Sequence, residues 1–233
     1  MDADEWFASA DAVAMLLDLY PLPGPHSVHD HTRLARLYLA ACGRRQWAYL
    51  PWPCRRMIEV AEELADDPSR AAVATALTPS IETLLSRLET EKEWDDFSKS
   101  VQTIAGGTPD KDYRQFRSDE HYEQIARLIS FLYYRELPPF QQVRAAYHQP
   151  DFVRDLFALV VRRVRFDPAW RTDAATGLAR AAYDGRAFDR LPILADALEE
   201  AGCDVPAVLD HCRDGNTPHV RGCWVVDLVL EKA

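Results

Sequence analysis

The chain carries none of the short motifs that announce a reaction. There is no GxxxxGK[ST] loop, no GxGxxG turn, no HExxH pair and no GxSxG elbow. The Gly106-Gly107 pair is too short to cradle a phosphate. No apolar run approaches the roughly 18 residues that a membrane span requires. The opening MDADEWFASAD has neither the basic n-region nor the long apolar h-region of a secretory signal. Five cysteines make an odd number without a paired framework, which fits a reducing compartment better than secretion. A cytoplasmic protein is therefore expected. Positive charge is also scarce, with 27 Lys and Arg against 37 Asp and Glu and a formal net charge of −10. Nucleic-acid binding depends on clustered cations, so a broad nucleic-acid surface is not expected. The basic stretch ending in Arg162, Arg163 and Arg165 reads as the solvated face of a helix.

Long β-branched runs are missing too, and nearly every periodic segment repeats at 3.6 residues. The reading is all-α: a multi-helix bundle or an irregular helical-hairpin array with no substantial sheet. Helices are expected at about 11–20 and 30–47, and after Pro51 and Pro53 the residues Met57, Ile58, Ala61, Leu64 and Ala65 form a third amphipathic face. In the last third they are expected at about 150–164, 173–184, 188–201, 205–212 and 218–230. Ala105-Gly106-Gly107-Thr108-Pro109 is the clearest break in the chain. It divides the sequence into a helical region at 1–104, a flexible connection at 105–117 and a second helical region at 118–233. An echo of RAAYHQPDF at Arg144 as RAAYDGRAF at Arg180 suits a helical-hairpin repeat, although two copies fall short of the three a solenoid needs.

The densest apolar stretch is the last, from Arg186 to Lys232. Its AFDRLPILADALEEAGCD, HCR and PHVRGCWVVDLVL segments resemble the C-terminal signature of an uncharacterised helical family abundant in planctomycete bacteria. FDPAW at Phe166, LARAAYD at Leu178 and VRDLF at Val153 are similar to the same family, as are Leu34 to Arg45 and Ile58 to Glu62. The resemblance covers roughly residues 1–67 and 150–231 and implies a helical fold. It implies no activity.

Candidate chemistry centres on Cys203, Cys212, His219 and Cys223, spaced C-x8-C-x6-H-x3-C, with His211 as a substitute ligand. On a helix, His219 and Cys223 would share a face, and a thiolate-rich set suits zinc. The competing reading is that these cysteines are small buried hydrophobes. His26, His29 and His31 offer a second candidate metal loop. Cys42, Cys54 and Cys212 lie near arginines that lower thiol pKa values, but none forms a recognisable catalytic pair. The carboxylate pairs, among them Glu62-Glu63 and Glu199-Glu200, read as solvated helix faces. Arg221 and Trp224, three apart, either face a partner as an interaction pair or close the core edge. Arg190 and Asp196 are expected in a polar network with Arg213, Arg221 or Asp227.

The sequence therefore favours a non-enzymatic interaction or adaptor module with an unknown protein partner and no required cofactor. The alternative is a helical protein that binds structural zinc, or another metal, through its C-terminal Cys and His residues.

Overall fold

The computed structural model describes residues 1–19, 32–45, 47, 52–74, 76–77, 79–80 and 149–232. All regular structure among them is helical, with no strand. Contacts divide the chain into two units. One joins Met1–Leu34 to Gln149–Ala233, and the other is Ala35–His148. The first unit is thus assembled from both ends of the sequence. The connection expected at 105–117 and the Arg144 copy of the echo lie outside the described residues, as does the His26/His29/His31 loop.

In the first unit, α1 (Ala3–Ala8) is fixed by a capping box. The Asp2 carboxylate accepts from the Glu5 N–H at 2.8 Å, and the Glu5 carboxylate accepts from the Asp2 N–H at 3.1 Å. Helix α2 (Ala12–Leu19) follows after Asp11, whose side chain accepts from the Ala14 N–H. Trp6 is fully buried, and its indole N–H donates to the Met15 carbonyl at 3.0 Å, pinning α1 across α2.

The C-terminal part contributes α5 (Pro150–Val161), α6 (Asp173–Gly185), α7 (Leu191–Glu200), α8 (Pro206–Arg213) and α9 (Trp224–Leu230). The intervening numbers belong to α3 (Thr32–Arg45) and α4 (Trp52–Asp66). Proline stands in the first turn of α5, α7 and α8, where its missing N–H costs nothing. One apolar core gathers Ala179, Tyr183, Leu194, Leu198, Val208, Val225 and Val229 with the cysteines at 203, 212 and 223. Helix α7 packs on α6 and α8, while α9 packs on α5 and α6. Helix α5 also receives α2, and the Arg154 guanidinium on α5 donates to the Phe7 carbonyl at 2.8 Å and to the Ser9 carbonyl.

The first turn of α3 is tied to the same core. Arg33 grips the Asp227 carboxylate of α9 through both terminal nitrogens, at 2.5 and 3.1 Å, and donates to the Tyr183 hydroxyl at 2.8 Å. The Arg221 guanidinium lies over the Tyr183 ring, 4.4 Å from its centroid. The expected partnership of Asp196 with Arg213 forms at 2.9 Å, but on the surface.

In the second unit, α3 and α4 bury Leu37, Tyr38, Met57, Ile58 and Val60. The Glu62-Glu63 pair does not behave uniformly. Glu62 is 3 % exposed and bound in bidentate fashion by Arg44 at 2.6 and 2.7 Å, whereas Glu63 meets Arg56 and Arg70 near the surface. An acidic pair on an amphipathic helix straddles the boundary between core and solvent, so one member can be buried if a cation follows it.

Candidate metal centre

The largest departure from the expected helices falls between α8 and α9. A continuous helix over 218–230 is not formed. Val220 to Cys223 is a β-turn closed by the Cys223 N–H on the Val220 carbonyl at 2.9 Å. Gly222 takes φ +94°, the left-handed position that glycine fills in such a turn. Helix α9 starts only at Trp224, with Cys223 as its N-cap. Upstream, the Asp214 side chain accepts from the Asn216 N–H at 3.0 Å and the Thr217 hydroxyl at 2.5 Å, folding the loop back toward the core.

This loop carries His219 and Cys223 onto two other segments. Asp155 comes from the middle of α5 and is fully buried. His211 comes from the last turn of α8, with its side chain 15 % exposed. One potential ligand atom from each of Asp155, His211, His219 and Cys223 lies within 4.8 Å of every other. Asp155 Oδ1 is 2.8 Å from His219 Nδ1 and 3.1 Å from His211 Nε2. Cys223 Sγ is 3.2 Å from His211 Nε2 and 3.9 Å from His219 Nδ1. The second carboxylate oxygen, Oδ2, accepts the Val220 backbone N–H at 2.8 Å.

Each imidazole therefore turns one and the same nitrogen toward both the carboxylate and the sulfur. A catalytic Cys–His–Asp relay needs the opposite, with the base touching nucleophile and orienting acid through different ring nitrogens. Convergence of four donors on one point is an arrangement that could hold a metal ion. For bonds of about 2.0–2.3 Å, tetrahedral ligands stand roughly 3.3 Å apart for N and O donors and roughly 3.6 Å for N and S donors. The N···S separations of 3.2 and 3.9 Å bracket the second value, while the N···O separations of 2.8 and 3.1 Å are hydrogen-bond distances that would have to open slightly around an ion.

Electrostatics separate the same two readings. Burial pushes the Cys223 thiol well above its ordinary value, and the Asp155 charge pushes it further. Without a cation beside it the thiol stays protonated, the reverse of an activated nucleophile. Burial alone would raise Asp155, but hydrogen bonds from His211 and His219 and their charge outweigh it and hold the carboxyl below the usual range. Burial likewise opposes protonation of His219, yet the hydrogen bond and charge of Asp155 win and raise it. His219 Nε2 is buried and closes no hydrogen bond of ordinary geometry, although the Asp214 backbone and carboxylate lie near enough to favour the charged ring.

Of the four ligands expected from spacing, His219 and Cys223 are in this group and Cys203 and Cys212 are not. Both of those cysteines are buried in the apolar core. Burial pushes Cys212 up to about 12 and raises Cys203 as well. His211, the substitute ligand, belongs to the group. Asp155 was missed because it lies far upstream, inside VRDLF. Its signal was a carboxylate on an apolar stripe, among Phe152, Val153, Leu156 and Phe157. Cys42 and Cys54 are buried and their thiols raised, with Cys54 at about 12. Trp224 is 5 % exposed, with its ring 5.0 Å from that of His211, and Arg221 covers Tyr183. That pair lines the core edge. Among the described residues no helix is long and apolar enough to cross a membrane.

No family model, curated protein or solved structure matches the chain.

Proposed function

We propose that this protein binds one divalent transition-metal ion through Asp155, His211, His219 and Cys223. The observation that carries the reading is the shared direction of the four donors, drawn from α5, α8 and the turn before α9. Mixed N, O and S donors suit a borderline cation such as zinc, and poorly suit magnesium or calcium, which take oxygen. Charge also favours it. A thiolate and a carboxylate neutralise a dication, so the filled site buries no net charge. Without an ion, the two histidines share one carboxylate oxygen and the sulfur meets only weak partners.

The test is titration of the metal-free full chain with zinc, comparing single alanine variants. Asp155→Ala, His211→Ala, His219→Ala and Cys223→Ala are each expected to weaken binding by more than the ~100-fold that loss of an outer-shell partner costs. Cys203→Ala and Cys212→Ala retain one ion per chain with wild-type affinity. Equal losses from Cys203→Ala and Cys212→Ala, with none from Asp155→Ala, would contradict this ligand set.

A further inference from the structure

We infer that the ion is held as a closed, four-coordinate, water-free zinc-type centre that ties chain segments together and performs no hydrolysis. This inference rests on the proposed metal reading and adds the coordination number, the metal class and the role. Three observations carry it.

The first is the second oxygen of Asp155. Oδ2 is taken by the Val220 N–H at 2.8 Å, so the carboxylate offers the ion Oδ1 alone. A monodentate carboxylate, two imidazole nitrogens and one sulfur make four ligands. Among the described residues no fifth Cys, His, Asp or Glu joins the group. Four ligands of this mixture match the tetrahedral preference of zinc, which has no d-electron demand for a square or octahedral field.

The second is enclosure. Asp155 and Cys223 are fully buried and the His219 side chain is 7 % exposed, leaving His211 as the most open edge of the group. The His211 ring is itself backed by the rings of His219, at 4.8 Å, and Trp224, at 5.0 Å. A hydrolytic centre keeps an open position for water beside three protein ligands. Here the fourth position is filled by the protein.

The third is charge. Two anionic and two neutral ligands bring a dication to neutrality. A bound hydroxide would leave one uncompensated negative charge beside the fully buried Asp155 and Cys223, which buried sites avoid. Neutrality is reached with the four protein ligands alone.

The consequence is structural. The site joins the middle of α5, the end of α8 and the turn that launches α9, segments separated by 56 and 12 residues between Asp155, His211 and Cys223. Such a tie acts where the loop between α8 and α9 has only short turns of its own to hold it.

The experiment uses the full chain, freed of metal by chelation under reducing conditions, with cobalt(II) and zinc(II) as probes. The expected result is one cobalt per chain with the intense visible bands of tetrahedral coordination and a sulfur-to-cobalt charge-transfer band in the near ultraviolet. Equimolar zinc removes both. Cys223→Ser, which keeps an oxygen near the same position, is expected to lose the charge-transfer band while retaining weaker visible bands. This keeps the test independent of whether an alanine variant folds. Bound cobalt with the weak bands of five or six ligands would overturn the closed centre while leaving metal binding intact. Failure of both ions to bind would overturn it through the reading beneath it.

Discussion

Cys223 and Asp227 are joined by one backbone hydrogen bond, the Asp227 N–H donating to the Cys223 carbonyl at 2.9 Å. That first turn of α9 places the sulfur of the candidate metal centre one turn from the carboxylate that grips Arg33. Position and orientation of the helix start are thus shared by two polar anchors. One fixes the α8–α9 loop, and the other fixes the beginning of α3.

Asp227→Asn is expected to cost about 3 kcal/mol, the scale of breaking a buried ion pair, because Arg33 loses its counter-charge beside a 2 % exposed group. Since the same turn holds Cys223, zinc affinity is expected to fall severalfold as well. Chemical denaturation and zinc titration of one variant measure the two effects. Full loss of stability with unchanged affinity would show that the anchors are uncoupled.

Glu62→Gln supplies the contrast. Glu62 is equally committed to Arg44, but it sits on α4 in the other unit. The expected cost is again about 3 kcal/mol. Zinc stoichiometry and affinity stay at wild-type values in titration of the folded variant.

Zinc removal is expected to lower the melting temperature. A ligand a thousandfold above its Kd contributes about 4 kcal/mol when it binds only the folded state. For a domain of this size that corresponds to roughly 10 °C or more. Thermal scans with and without chelator, repeated on Asp155→Asn, check it. The variant's scans are expected to coincide.

Trp224 gives an optical reporter. Its ring is 5.0 Å from the ring of His211, a residue of the ligand set. Cobalt(II) is expected to quench a fraction of the fluorescence that Trp224→Phe removes. Quenching that survives the substitution would place the ion elsewhere.

Much of the fold was legible because amphipathic helices write their period locally. Helices α5 to α8 fall close to where apolar spacing and first-turn prolines place them. Helix α1 escaped that reading: six residues are too short for a period, and only the Asp2–Glu5 capping box marks it. The expected helix through 218–223 failed at Gly222. Its φ of +94° serves a turn, which a 3.6-residue window does not weigh against the apolar residues that follow. The site was partly legible. His219 and Cys223 are close in sequence, so spacing proposes them, and His211 enters as a substitute ligand twelve residues before Cys223. Asp155 reaches them only through the packing of α5 on α9, which no local pattern encodes. Spacing alone also recruited Cys203 and Cys212, whose burial in the apolar core makes them ordinary packing residues.

The most direct test is native mass spectrometry of the full chain purified without chelator and then offered zinc. The account predicts a mass increase of one zinc ion per chain, absent from Asp155→Ala and present in Cys203→Ala. A wild-type protein that remains metal-free after exposure to zinc would contradict it, and the four converging side chains would then be a hydrogen-bonded knot of the core.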